Sequence, residues 1–343
     1  MYCPKITIIT PSFNQGKYLE HTILSILNQD YPNLEYIVID GGSTDNSLEI
    51  ILKYECKLDY WVSEPDQGQA DAINKGLKNA TGNIINWINS DDILLPGALM
   101  EVAKAFKLDT DVVLVHGGVI LYDDKGKHDF DFGYQDLSNE RYLSGMAFPQ
   151  PAGFFSRKAL GKIGLLDTDL HYGMDYDLYA RLALVGPINR IDQILAKYRL
   201  HDFSKSVSES HKFMDDWILV LNKVMNSIGY NGYLKYFKEL NFRVSQKKFN
   251  QTVNCNYQIN ERKLLFYFLC YCLKFCYWDT DVSRANKIWH ILKSDFNDFE
   301  VESEKGIASI GQRLDSIPSW LLLLIKKGQK IFNSSTLWIL RRS

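Results

Sequence analysis

Four polar clusters hold most of the side chains that could do chemistry in this 343-residue chain: Pro11-Ser12-Phe13-Asn14, Asp40-Gly41-Gly42, Ser63-Glu64-Pro65-Asp66 and Asn89-Ser90-Asp91-Asp92. The last is the most pointed. Adjacent carboxylates on Asp91 and Asp92 suit a hard divalent ion, magnesium or manganese, which takes one or two carboxylates and fills its shell with substrate phosphates. The same acids also suit a helix N-terminus, because Pro96 opens a helical segment soon after. Asp40-Gly41-Gly42-Ser43-Thr44-Asp45 joins a carboxylate to glycines that let backbone turn tightly or meet a ligand closely. A plain turn with a helix cap also accounts for it. Two nucleotide chemistries fail on spacing: no G-x-G-x-x-G follows the first strand, and no G-x-x-x-x-G-K-[ST] occurs anywhere. Thiolate metal sites are not indicated either. Cys3 and Cys56 stand alone, and Cys270, Cys272 and Cys276 lie among Tyr, Leu and Phe with no His at ligand spacing, so the six cysteines read as buried or reduced thiols.

The elements that must position these clusters alternate between strand and helix. Ile6-Thr7-Ile8-Ile9 is a β-rich run that Pro11-Ser12-Phe13-Asn14 breaks. Leu19, Ile23, Ile26 and Leu27 follow at helical spacing. Tyr36-Ile37-Val38-Ile39, Tyr60-Trp61-Val62 and Ile84-Ile85-Asn86-Trp87-Ile88 read as further strands, with a helix marked by Ala70, Ile73 and Leu77 before the last and one from Pro96 to Phe106 after it. This alternation predicts an α/β fold with a mostly parallel sheet and helices on both faces. Ligands in such sheets sit at the carboxyl ends of strands, and all four polar clusters fall there.

Taken in order, Thr10-Pro11-Ser12-Phe13-Asn14, Ile39-Asp40-Gly41-Gly42-Ser43-Thr44-Asp45, Glu64-Pro65-Asp66-Gln67-Gly68, Asp71-Ala72-Ile73-Asn74-Lys75-Gly76, Ala80-Thr81-Gly82 and Asn89-Ser90-Asp91-Asp92 are far more specific than any one of them. Over residues 4–205 the chain resembles the family-2 glycosyltransferases, whose nucleotide-diphospho-sugar transferase fold is called GT-A. The resemblance implies that Pro11, Ser12 and Asn14 line the nucleotide, that Asp40 accepts from the N–H of a uracil-like base, and that Asp66 and Asn74 complete the pocket. Asn89-Ser90-Asp91 falls where the family has Asp-x-Asp, so Asp91 is the implied metal carboxylate, with Asp92 assisting. Asn89 is the departure: it can bond a ribose hydroxyl but adds no charge. Gly173-Met174-Asp175-Tyr176-Asp177-Leu178 falls where the family carries Glu-Asp before an amphipathic helix, here with Leu178, Leu182 and Val185 as its apolar face. Asp175 is then the implied catalytic base, although Asp175 and Asp177 also suit a helix dipole. The resemblance further assigns His201 to the metal or diphosphate and Gln150 to the sugar.

These parts imply an inverting transfer of sugar from a nucleotide-diphospho-sugar, a UDP-sugar by the base contact, to an acceptor hydroxyl. One base and one metal carboxylate suit transfer better than the carboxyl pair of a glycosidase. Surface-polysaccharide or glycolipid synthesis on a lipid-linked acceptor is the family-level expectation. A protein that binds nucleotide-sugar without catalysis, or works by interaction alone, is the rival reading.

Net charge is −2, so no global attraction to nucleic acid is expected. The charge is uneven, however. Residues 1–204 hold 18 basic and 28 acidic side chains, and residues 205–343 hold 21 and 13. With aromatic and apolar residues crowding 213–224, 230–237 and 264–278, this predicts a catalytic domain over 1–205 and a helical C-terminal region over 206–343. The longest apolar run, 264–278, includes Lys274 and falls short of the ~18 residues a membrane span needs. No leader is expected, because Pro4 and Lys5 sit where its apolar stretch would be. Residues 318–343 mix Trp320, Leu321, Trp338 and other apolar side chains with five cations and no acid, the composition of a segment lying on anionic lipid. The expected location is therefore the cytoplasm, at the inner face of the membrane.

Overall fold

A computed structural model describes residues 3–123, 128–131, 133, 137–201, 204–249, 251, 253, 255 and 257–332. The chain forms two compact units. One comprises Met1–Gly133, Phe148–His201 and Asn250–Asn256; the other comprises Tyr134–Ala147, Asp202–Phe249 and Tyr257–Ser343.

The first unit is built on a nine-stranded sheet: β1 (Ile6–Ser12), β2 (Leu34–Asp40), β3 (Tyr60–Ser63), β4 (Ile84–Trp87), β5 (Ile93–Leu94), β6 (Leu114–Asp123), β7 (His128–Asp131), β8 (Gly153–Ser156) and β9 (Ile188–Leu200). Their order is β3-β2-β1-β4-β8-β6-β9-β5, with β7 on β6. The first four strands pair in parallel; β1, β2 and β4 are buried on both faces, as continuous apolar runs predict, whereas β3 at the end of the sheet is half exposed. The sheet as a whole is mixed, since β8 joins β4 and β6 antiparallel, while β6 and β9 are parallel.

Around and beyond the sheet the helices are α1 (Gly16–Leu27), α2 (Ser47–Tyr54), α3 (Gln69–Asn79), α4 (Ala98–Leu108), α5 (Asn139–Leu143), α6 (Arg157–Ile163) and α7 (Met174–Val185). Of these, α5 belongs to the second unit. Helix α3 lies close on the sheet because residue 76 is glycine: a Cβ there would come within 2.5 Å of Cγ2 of Ile9.

Two sequence expectations change here. Pro11 and Ser12 do not break β1 but continue it, pairing with Ile39 and Asp40. Ile9 O accepts from Ile88 N on the β4 side, and Ser12 O accepts from Gly41 N on the β2 side. Groups two residues apart point the same way, so Pro11 aims its missing donor at the side where β4 has already ended. Helix α7, expected to be amphipathic, is instead buried along nearly its whole surface, with only Asp175 and Val185 less than fully enclosed.

The second unit is helical: α8 (Lys205–Ser208), α9 (Phe213–Ile228), α10 (Leu234–Glu239), α11 (Glu261–Trp278), α12 (Val282–Asp295), α13 (Asp298–Ser303), α14 (Ile307–Ser316) and α15 (Ser319–Phe332). Its core is the apolar length of α11, from Leu264 to Tyr277, with Ile288, Ile291 and Leu292 of α12. Glu304 accepts from Arg141 of α5 and Lys274 of α11, both largely buried, while the Arg141 guanidinium lies 3.6 Å from the Tyr267 ring centre. Cys270, Cys272 and Cys276 are buried on α11. Among the described residues no helix is long and apolar enough to cross a membrane.

Candidate active site

The carboxyl ends of β1, β2 and β3 meet around the carboxylate of Asp40, which has no solvent exposure. Its Oδ2 accepts from Gly42 N, Ser43 N and Ser63 Oγ, and its Oδ1 from Ser43 Oγ. Gly42 adopts φ +81°, a conformation that glycine takes without cost. Asn14, itself at φ 52°, accepts from Thr44 N, while its own N–H donates to Ser43 Oγ. Asp66 lies against the same loop: a Cβ on Gly41 would sit 2.5 Å from its Oδ2, and its Oδ1 accepts from Gly68 N. Ser12 is 4% exposed and, among the described residues, its Oγ has no hydrogen-bond partner. Pro11, Ser12, Asn14, Asp40 and Asp66 are thus gathered at one end of the sheet. Asn74 is not with them. Its side-chain amide is buried and bonds both N and O of Leu166, so it fixes α3 to the loop after α6.

The end of β4 forms the other half. Asp91 Oδ2 lies 3.0 Å from His201 Nε2, which brings two sequence-predicted metal ligands together across 110 positions of chain. His201 packs against the Tyr18 ring at 4.8 Å. Asp92 has a different task from the one expected. It is 1% exposed, its Oδ1 accepts from Arg199 N and its Oδ2 from Asn89 Nδ2, so its side chain extends the β5–β9 ladder by one bond. Burial and the adjacent Asp91 carboxylate push its carboxyl well above the usual carboxylate range. Asn89 is an amide hub, accepting from Gln69 Nε2 at 2.8 Å and donating to Asp92 and, at 3.4 Å, to Gln150 Oε1. Gln150, expected to face the sugar, is buried and donates to Asn86 Oδ1 and Trp87 O. Ser90 is buried beside these residues in sequence.

Asp175 and Asp177 separate sharply. Asp177 is 1% exposed and its Oδ2 is held by Nε and Nη2 of Arg181, whose Nη1 caps the carbonyls of Ile163 and Gly164. Asp175 keeps part of its surface open in the first turn of α7 and accepts from Tyr176 N. One turn on, Tyr179 donates to Gln150 O. Burial, with Asp175 alongside, raises its phenol well above the ordinary tyrosine range and keeps it a donor. Tyr179, Gln150 and Asn89 therefore connect the turn bearing Asp175 to the β4 end.

Tyr18, Gln69, Tyr179 and Arg199 were not singled out by sequence reasoning. Arg199 lies with its guanidinium 4.6 Å from the ring centres of both Tyr18 and Tyr122, and its Nε donates to Asp91 O. One signal was available: Arg199 and His201 are two apart, the strand period that puts both on one face.

The profile of glycosyl transferase family 2 matches residues 7–164. An uncharacterized glycosyltransferase of Rickettsia felis is 31% identical over 62% of this chain, which spans 37% of that protein. One from Rickettsia prowazekii is 30% identical over 65% of the chain, covering 74% of its own length. Among solved structures, Staphylococcus aureus TarS 1-349 in complex with UDP aligns with a TM-score of 0.55, 15% identity, and 96% and 92% of the two chains covered. The mannosyltransferase PcManGT from Pyrobaculum calidifontis, in complex with GDP-Man and Mn2+, aligns at 0.53 and 16%, covering 98% and 89%. At such identities the likeness is one of fold, and it is to the GT-A type. By sequence, the chain belongs to glycosyltransferase family 2.

Proposed function

We propose that the protein transfers a sugar from a nucleotide-diphospho-sugar, a UDP-sugar, to an acceptor hydroxyl with inversion, using Asp175 as the general base. The observation that carries this reading is the contrast on α7. Asp177 is locked in a buried ion pair, while Asp175 is the one acid of that helix left partly open. As base, Asp175 takes the acceptor proton while the hydroxyl attacks the anomeric carbon, and the nucleoside diphosphate departs from the opposite face. The pocket around Asp40, with Pro11, Ser12, Asn14 and Asp66, receives the nucleotide. The free Ser12 Oγ is a buried polar atom still owed a partner.

A divalent ion, manganese or magnesium, suits the Asp91–His201 pair. A carboxylate oxygen and an imidazole nitrogen 3.0 Å apart match two neighbouring ligands of a six-coordinate ion with bonds of about 2.1 Å. Among the described residues no third His, Cys, Asp or Glu joins them, which leaves the remaining positions to water and donor phosphates. When bound, the ion would neutralise charge on the leaving diphosphate. Asn89 serves as the hub that ties Asp92, next to Asp91 in sequence, to Gln69 and Gln150. The acceptor is a lipid-linked glycan intermediate of surface polysaccharide or glycolipid synthesis, met at the inner face of the membrane.

The test is turnover of a UDP-sugar panel with polyprenyl-linked acceptors, with and without manganese, for the wild type and Asp175→Asn. Retained anomeric configuration in the product, or full turnover by Asp175→Asn, overturns the reading.

A further inference from the structure

Helix α15 buries one face and leaves an apolar stripe on another. Leu322 and Lys326, one turn apart, are 2% and 4% exposed, with the Lys326 ammonium 3.5 Å from the Tyr277 ring centre and 4.1 Å from that of Trp278. Trp320, Leu321, Leu324 and Ile325 are 65%, 37%, 60% and 42% exposed. Their spacing of i, i+1, i+4 and i+5 makes a single stripe along the helix. Isolated exposed apolar residues are ordinary, but a contiguous stripe holding a tryptophan marks an interaction surface.

The sequence around the stripe carries one sign of charge. From Ser316 to Ser343 the sequence has no acid, and besides the inward-facing Lys326 it holds Lys327, Lys330, Arg341 and Arg342, the two arginines lying outside the described residues. That charge selects among occupants. A second copy would bring two cationic segments together across the stripe, which costs energy. A bilayer of anionic lipid meets both properties at once, because headgroups attract the cations and the tryptophan and leucines enter the headgroup–acyl boundary.

We propose that α15 is an interfacial anchor that lays the protein on anionic lipid, through insertion of Trp320, Leu321, Leu324 and Ile325, with the cation-rich, acid-free sequence from Ser316 onward attracting the headgroups. The binding is peripheral and reversible, and it is independent of transfer at the site on the sheet.

The experiment is co-sedimentation of the full chain with vesicles of phosphatidylcholine alone or of an equimolar phosphatidylcholine–phosphatidylglycerol mixture. Binding is expected to the anionic vesicles only, with release as salt rises. A cation near such a surface contributes about 1 kcal/mol, so Lys327→Ser with Lys330→Ser should weaken partitioning by roughly tenfold or more. Trp320→Ser with Leu324→Ser should abolish retention, while the melting temperature and soluble-acceptor turnover stay at wild-type values, since both side chains are exposed and neither residue belongs to the site. Equal binding to both vesicles, or unchanged binding by both double variants, overturns the proposal. So does concentration-dependent dimerisation that Trp320→Ser with Leu324→Ser removes while no vesicle binding is seen, because the stripe then serves a second copy.

Discussion

Asp175 and Asp177 differ by two positions, and substitution should act on different observables. Asp175→Asn keeps shape and removes a proton acceptor; turnover should fall by at least ~100-fold while donor affinity is unchanged, read by single-turnover transfer and by calorimetry. Asp177→Asn leaves the Arg181 guanidinium in a buried place without its counter-charge, so urea unfolding should show a loss of about 3 kcal/mol. At Asn89 the departure from Asp-x-Asp has a local reason. Its amide donates to one acid and one amide oxygen, and a carboxylate there would face Asp92 without a donor. Asn89→Asp should therefore destabilise the fold by about 1–3 kcal/mol, measured by thermal melting. Residue types and order mark out Asp40, Asp91, Asp175 and His201. They do not reveal that Asn74, Gln150 and Asp92 are occupied, because the groups that occupy them are distant: Leu166 is 92 positions from Asn74, Asn86 is 64 from Gln150, and Arg199 is 107 from Asp92.

At the scale of elements, Glu35 on β2 is the knot of the parallel strands. Its carboxylate accepts from Lys5 Nζ, Thr7 Oγ1 and both N and Oγ1 of Thr81, tying together the starts of β1, β2 and β4. Burial opposes its ionisation, but these donors win and lower its pKa to about 2. A carboxylate whose pKa is depressed on folding contributes fully above its unfolded value of about 4.5, and that contribution drains away as pH falls towards 2. Melting temperature should thus drop between pH 5 and 2.5, and Glu35→Gln should flatten that slope while lowering stability at neutral pH by about 1.5–3 kcal/mol. The four parallel strands were legible because each is a short apolar run ended by polar punctuation. The rest of the sheet was not. β9 alternates poorly and is half exposed along most of its length, β8 has only four residues, and β6 contains His116-Gly117-Gly118, which reads as a turn. Tertiary pairing overrides local pattern in each case.

For the molecule as a whole, binding at the site should be readable as global stability. A ligand at a hundred times its Kd adds about 2.7 kcal/mol to the state that binds it, so UDP with manganese should raise the melting temperature, EDTA should cancel the rise, and Asp91→Ala should lack it. A rise that persists in EDTA and in Asp91→Ala would point to nucleotide binding without the ion. The helical unit needs a separate report, and its cysteines supply one. Burial pushes the thiols of Cys270 and Cys272 far up and that of Cys276 to about 12, whereas Cys56 is exposed. Alkylating reagents attack only accessible thiolate. Cys56 should therefore react with iodoacetamide at once, and the α11 thiols only as fast as their helix opens. The mass added per minute to peptides of α11 is then an opening rate for that unit alone, obtained from the unmodified protein without a probe or a mutation.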